Sequence, residues 1–269
     1  MYIQVLVATM HQKDYTLLDN LNLQSDAVIV NQCDREERIS FKYCDYNILW
    51  INSKERGLSR SRNMALLNAS AEVCVICDDD ERLSNGYPKL IQNAYDSISN
   101  ADLIIFNIER EGWNEKEKLF LSAKKIRKYK TYGSVHITFK RKSINQRKIH
   151  FNTDFGAGSG KYTSAEDAIF CMECHRSNLS MYTYPGILCS VSCEESTWFS
   201  GYNEKYFFDV GAYLSLIFPK TKHLLKWYYP IRVRKLSHLS CRQIISSIND
   251  GINGYKEGLN YNSYCLRKK

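Results

Sequence analysis

Residues 73–81, Val-Cys-Val-Ile-Cys followed by Asp-Asp-Asp-Glu, decide how this 269-residue chain is read. Five apolar residues without polar alternation fit a strand covered on both faces, as in a parallel sheet packed between helices. Four acids directly beyond its carboxyl end repel one another unless a positive group sits among them. Otherwise they form a solvated turn or cap the next helix. In open α/β sheets, ligands bind outside the carboxyl ends of the strands. The acids then read as a site for a hard divalent cation, Mg²⁺ or Mn²⁺, which oxygen ligands suit. On an extended chain Asp78 and Asp80 point to the same side, so the D-x-D spacing makes these two the metal candidates.

Working outward, similar apolar runs at residues 2–8, 27–30, 48–51 and 103–108 predict further strands. Leu58, Met64, Leu67 and Ala71 fall near helical spacing, predicting a helix over 57–70. Asn85-Gly86-Tyr87-Pro88 opens another that runs to about Ser99, with proline near the first turn. This alternation predicts an α/β chain with a mostly parallel central sheet flanked by helices. Farther on, 134–141 predicts one more strand, and a polar glycine-rich loop over 151–167 precedes a helix near 165–179. Two short strands, MYTY and ILCSVS, and two helices near 204–218 and 242–257 complete the reading. GAGSGK at 156–161 is no phosphate-binding P-loop, because Phe155 stands where the first glycine belongs and no strand feeds it.

Composition excludes several classes. With 44% apolar residues, 13 Gly and 4 Pro, the chain is neither disordered nor collagenous. No apolar run reaches the ~18 residues that a membrane span needs, and the stretch 206–218 is short and carries Asp209. MYIQVLVATM lacks a basic leader region, so a cytoplasmic placement is expected. The net charge of +8 is concentrated: residues 115–148 hold twelve Lys/Arg against two acids. Residues 220–242 hold seven more, and no acid occurs between Asp209 and Asp250. Mixed with Trp227, Tyr228 and Tyr229, the second tract suits an anionic membrane surface better than a nucleic-acid groove, or else forms a packing helix. Without a helix-turn-helix or finger signature, no nucleic-acid partner is expected. The ten cysteines include C-x-x-C pairs at Cys74/Cys77 and Cys171/Cys174. Residues three apart on a strand face opposite ways, so the first pair reads as small buried hydrophobes rather than zinc ligands.

Six stretches, taken in order, resemble family 2 glycosyltransferases with the GT-A fold, particularly the bacterial group that builds capsular and other surface polysaccharides. They are VLVATMHQKD, SDAVIVNQCD, ERGLSRSRN, VCVICDDD, SAEDAIF and EESTWFSGYNEKYFFD. The resemblance implies a GT-A domain over 1–218, with a nucleotide-sugar half (1–110) and an acceptor and catalytic half (111–218). A basic helical extension follows at 219–269. It implies Thr9, Asn31 and Asp34 at the donor nucleotide. Gly57, Ser59, Arg62 and Asn63 match the family's G-x-S-x-x-R-N, with Arg62 approaching the diphosphate. Asp78 and Asp80 match its D-x-D, with Asp80 the principal metal ligand and Asp79 beside the donor. Glu166 and Asp167 match its catalytic E-D pair, with Asp167 the base.

For the acceptor the candidates are Gly158, Glu194, Glu195 and Trp198. Gly156, Gly158 and Gly160 would let a loop move over the donor, and Trp198 offers either a stacking face for a sugar or a core aromatic. Cys193 stands where some relatives place a late histidine ligand. The implied activity is inverting transfer from a UDP-linked sugar to a saccharide, a lipid-linked oligosaccharide met at the inner face of the cell membrane. Two rivals remain. A sugar nucleotidyltransferase would want a glycine-rich phosphate loop, which ATMHQKDYTLL lacks. A non-catalytic sugar- or nucleotide-binding module of the same fold would not need Asp78, Asp80 and Asp167 intact.

Overall fold

A computed structural model describes residues 1–111, 118–192, 201–233 and 235–268. Its strands are β1 (Ile3–Met10), β2 (Asp26–Gln32), β3 (Glu37–Tyr43), β4 (Tyr46–Ser53), β5 (Val73–Asp78), β6 (Glu81–Leu83), β7 (Leu103–Glu111), β8 (Lys124–Lys125), β9 (Ile137–Lys140) and β10 (Met181–Ser192). They form one sheet in the order β3-β4-β2-β1-β5-β9-β7-β10-β6, with β8 added on β10. β4, β2, β1 and β5 run parallel to one another, and edge strand β3 lies antiparallel to β4. β9 lies antiparallel between β5 and β7, while β7 and β10 are parallel to each other.

Both faces of the parallel half are covered, which is why its strands read as unbroken apolar runs. Val73, Val75 and Cys77 enter the core on one face, and Cys74 and Ile76 enter the core on the other. Cys74 and Cys77 therefore sit on opposite sides of the sheet. Helix Leu58–Asn68 contributes Ala65 and Leu66 to the second core, and helix Tyr87–Ser97 contributes Tyr87, Ile91, Ala94 and Tyr95 to the first.

Two local expectations are corrected, and one strand was not anticipated. The chain between 37 and 43 is a strand, β3, joined to β4 by a two-residue turn with Cys44 at φ +51°. Its Glu-Arg-Ile-Ser-Phe-Lys-Tyr sequence has the half-polar character of an edge strand. MYTY and ILCSVS belong to one strand, β10, whose register slips around Pro185 and Gly186 because proline cannot join the ladder. Of the stretch 134–141, only Ile137–Lys140 pairs as a strand, and Ser134–His136 forms a single 3₁₀ turn.

The polypeptide beyond the sheet is anchored by two crossed helices, Glu204–Ile217 and Cys241–Lys256. A Cβ on Gly211 would lie 2.2 Å from the Ile248 carbonyl oxygen, and one on Gly251 would lie 1.9 Å from that of Phe208. The helices thus touch backbone to backbone, at a separation only glycine permits. Around the crossing, Phe207, Val210 and Leu214 pack on Ile244, Ile248 and Ile252. Phe208 and Ala212 reach back to Phe155, Tyr162, Ile169 and Met172. Among the described residues no helix is long and apolar enough to cross a membrane.

Candidate active site

Register brings the carboxyl ends of three parallel strands level: Thr9 lies opposite Asn31, and Ala8 opposite Asp78. Just beyond this edge, helix Leu58–Asn68 starts at Gly57, whose N–H donates to Gln32 Oε1 at 2.7 Å. One turn in, the helix drives Arg62 into the protein, where only 1% of its surface is exposed. Its Nη2 donates to Asp78 Oδ1 and Oδ2 at 2.8 and 2.9 Å, and to Ser134 Oγ at 2.8 Å. Nη1 donates to Asp167 Oδ1 at 2.6 Å and lies 3.6 Å from Glu166 Oε1. The Phe151 ring lies beneath the guanidinium, 5.3 Å from centroid to Cζ. Burial alone disfavours the charge on Arg62, but Asp78, Asp167 and Glu166 outweigh that effect. Arg62 is thus a buried tie between the D-x-D and E-D motifs, with its guanidinium spent on their carboxylates.

Ser134 closes the same junction. Its N–H donates to Asp167 Oδ2 at 2.9 Å and its hydroxyl to Asp78 Oδ2 at 3.2 Å. Asp78 and Asp167 therefore face one cleft of about 510 Å³, whose walls include Asp80, Arg110 and Glu166. Burial raises the Glu166 carboxyl to about 7; the neighbouring Asp167 charge adds to this and Arg62 opposes it. Desolvation and then the charge of Asp78 raise Asp80, with Arg110 pulling the other way. Glu81 is buried, and desolvation followed by the charge of Asp78 pushes its carboxyl well above the ordinary carboxylate range. Its Oε1 accepts the Asp78 N–H at 2.8 Å.

One oxygen each from Asp78, Asp80 and Glu81 fall within 4.8 Å of one another. These are hard oxygen donors, crowded enough that the charge of Asp78 raises both Asp80 and Glu81, and that donor set fits Mg²⁺ or Mn²⁺.

The remaining expected donor residues lie along the same edge. Thr9 donates to Asp79 Oδ2 at 2.6 Å and accepts from Gln12 Nε2 at 2.9 Å. Asn31 is buried, its amide bonded to Gln12 and Asn52. Asp34 stands on the rim, 93% exposed and paired with Arg56 at 2.5 Å. Gly158 packs against the backbone of Gly57. The glycine-rich loop expected to move is fastened to the helix start: Leu58 N–H donates to Ala157 O at 2.9 Å, and Ser59 Oγ to Phe155 O at 2.7 Å. Cys193, Glu194, Glu195 and Trp198 lie outside the described residues.

Sequence reasoning missed Ser134 and Arg110. Arg110 carried a usable signal, since it sits near the carboxyl end of a strand parallel to β5. Ser134 carried none, because its stretch read as a strand.

The sequence profile described as "Glycosyl transferase family 2" matches residues 16–164. No curated protein sequence matches the chain. Among solved structures, S. aureus TarS 1–349 in complex with UDP-GlcNAc superposes with a TM-score of 0.62 at 14% identity, covering 97% of this chain and 93% of that one. The complex of the same fragment with UDP gives the same TM-score, identity and coverage. A longer S. aureus TarS structure gives a TM-score of 0.61 at 14% identity, covering 88% of this chain and 44% of that one. At this identity the likeness concerns the fold.

The raised Glu166 carboxyl predicts a pH effect. From its ordinary 4.5 up to about 7, the folded protein keeps a proton that the unfolded chain releases. Stability from this group is therefore lost as pH rises across that interval. In metal-free protein, Glu166→Gln removes the titration, so its melting temperature relative to wild type should climb between pH 5 and pH 8. A difference independent of pH refutes the assignment.

Proposed function

The chain belongs to glycosyl transferase family 2 and has a GT-A-like fold, and from that premise we propose that it moves a sugar from a UDP-linked donor to a saccharide acceptor with inversion. The observation that carries this reading is the convergence of Asp78, Asp80 and Asp167 on one cleft, with Arg62 bonded to Asp78 and Asp167. The UDP assignment draws support from the TarS structures of like fold, which were solved with UDP and UDP-GlcNAc. Thr9, Asn31, Asp34 and Asp79 lie along the strand ends where the nucleotide would run.

In an inverting transfer the acceptor hydroxyl attacks the anomeric carbon opposite the nucleotide diphosphate. The new glycosidic C–O bond forms as the bond to the diphosphate breaks, and the hydroxyl proton must go to a base. Asp167 is that base in our reading. Each carboxylate oxygen keeps a second lone pair after accepting from Arg62 or Ser134, and those two donors fix its orientation. Glu166, largely shielded beside it, tunes the local charge. A divalent cation held by Asp78 and Asp80 would neutralise charge on the departing diphosphate. The transition state has oxocarbenium character, as in other glycosyl chemistry.

The acceptor we favour is a lipid-linked oligosaccharide of bacterial surface or capsular polysaccharide synthesis, reached from the cytoplasmic side with the protein peripheral on the membrane. Support comes from Leu224, Trp227, Tyr228, Ile231 and Leu236, all exposed in the basic tract 220–242. Such a mixture of apolar and cationic side chains suits an anionic lipid interface. The domain division at 218 stays part of this reading, with the extension acting as the membrane-facing part.

Titration calorimetry with UDP, GDP and CDP, with and without Mn²⁺, tests the donor site. UDP should bind in a metal-dependent manner and lose that dependence in Asp80→Asn; no binding of any nucleotide would leave the family likeness as ancestry only. Asp167→Asn should lower transfer by roughly 10²-fold or more while leaving UDP affinity unchanged. Loss of donor affinity by the same factor as activity sinks the base assignment. Co-sedimentation should favour vesicles rich in phosphatidylglycerol over phosphatidylcholine, with the preference reduced in Trp227→Ala. Equal partition to both vesicle types excludes the membrane role.

A further inference from the structure

A second cavity, of about 460 Å³, adjoins the cleft and shares Thr131, Ser164, Ala165 and Ala168 with it. Asp167 lies between two of these residues in the chain, so the partition between the cavities carries the proposed base. On its far side the second cavity is walled by Tyr202, Tyr206, Tyr213 and Tyr229, by Asp209 and by Arg232. These side chains come from helices Glu204–Ile217 and Tyr228–Val233 and from the turn before the first of them. They lie beyond the part of the chain that the family profile matches.

We propose that this cavity is the acceptor subsite and that it takes a phosphorylated saccharide, an inference that rests on the glycosyltransferase reading and deepens it. Three independent features support the assignment. Four half-buried tyrosines offer flat apolar faces with polar rims, the combination that matches a sugar ring bearing C–H faces and hydroxyl edges. Asp209 is 3% exposed, and its Oδ2 accepts from Thr163 N–H and Oγ1–H at 2.9 and 2.7 Å. Its Oδ1 is buried with no partner among the described residues. A buried carboxylate oxygen requires donors, and a saccharide hydroxyl entering the cavity supplies one. Arg232 lines the same cavity, is exposed, and makes no ion pair among the described residues. A guanidinium in that state is a fork for a phosphate.

A cluster of tyrosines that only filled the core would not explain the carboxylate or the cation. Beneath it, Phe207, Val210 and Leu214 already provide the apolar packing. Helix Tyr228–Val233 also connects the cavity to the exposed face. Tyr229 and Arg232 line the cavity, whereas Tyr228 and Ile231 are exposed. A sugar held by phosphate to a lipid would therefore meet the cavity from the side that carries the membrane-suited residues. The phosphate could belong to a lipid carrier at the reducing end or to a phosphodiester within a polymer, and both share the chemistry proposed.

Saturation-transfer NMR on the full chain separates the cases, with saturating UDP and diamagnetic Mg²⁺ occupying the donor side. The probes are methyl α-glucoside, glucose 1-phosphate and glucose 6-phosphate. All three should receive saturation, the phosphates binding at least several-fold more tightly at low salt. A preference for the 1-phosphate points to a lipid carrier, and one for the 6-phosphate to a polymer linkage. Arg232→Gln should erase the phosphate preference yet keep methyl α-glucoside binding, whereas Tyr229→Ala should lose all three sugars. Neither change should alter UDP affinity, and thermal melting verifies that both variants fold. If UDP binds and no sugar receives saturation, or if Arg232→Gln retains the full phosphate preference, the proposal is overturned. Failure of UDP to bind counts instead against the glycosyltransferase reading, and sugar binding that persists there upholds the cavity on its own.

Discussion

The buried guanidinium of Arg62 is the interaction on which the site depends. It joins Asp78, at the end of a parallel strand, to Asp167, at the start of a helix 105 residues from Arg62 in sequence. Two carboxylates facing one cleft repel each other, and a guanidinium bonded to both offsets that repulsion. Removing one partner of a buried ion pair typically costs about 3–5 kcal/mol, because the remaining charges are stranded in a poor solvent. The tie therefore holds the fold together at the point where the chemistry is proposed.

One arginine does not balance this cluster. Asp78, Glu166 and Asp167 lie against Arg62, Asp80 and Glu81 cluster with Asp78, and Arg110 is a second cation on the cleft wall. The excess negative charge is relieved in two ways. Burial pushes the Glu81 carboxyl well above the ordinary carboxylate range and raises that of Glu166 to about 7. Asp80 stays at the rim and feels the same repulsion. An added divalent cation would lower the repulsion further, so the charge balance alone gives the D-x-D motif a reason to prefer a metal.

Much of this was legible in the sequence, for physical reasons. Strands buried on two faces carry unbroken apolar runs, so β1, β2, β4, β5 and β7 were visible, and the acids after β5 marked the ligand-binding edge. Edge strand β3 was hidden because half of its residues face water. The proline and glycine inside β10 made one strand look like two. What no local pattern could show is convergence. Arg62, Ser134 and Asp167 have no common periodicity, and only the sheet order brings their segments together. The tyrosine-lined cavity was invisible for the same reason, since its aromatic residues alternate with core residues along separate helices.

The backbone contact between Gly211 and Gly251 has a consequence for how such a chain can diverge. Most cores absorb substitution by trading volume between neighbouring side chains. Here there is no side chain to trade, because each glycine faces the main chain of the opposite helix. Neither position can drift alone or be compensated by its counterpart, so a lineage must keep both glycines or separate the helices altogether. Any engineered exchange of the C-terminal segment would inherit that constraint and would have to carry its own glycine to the crossing.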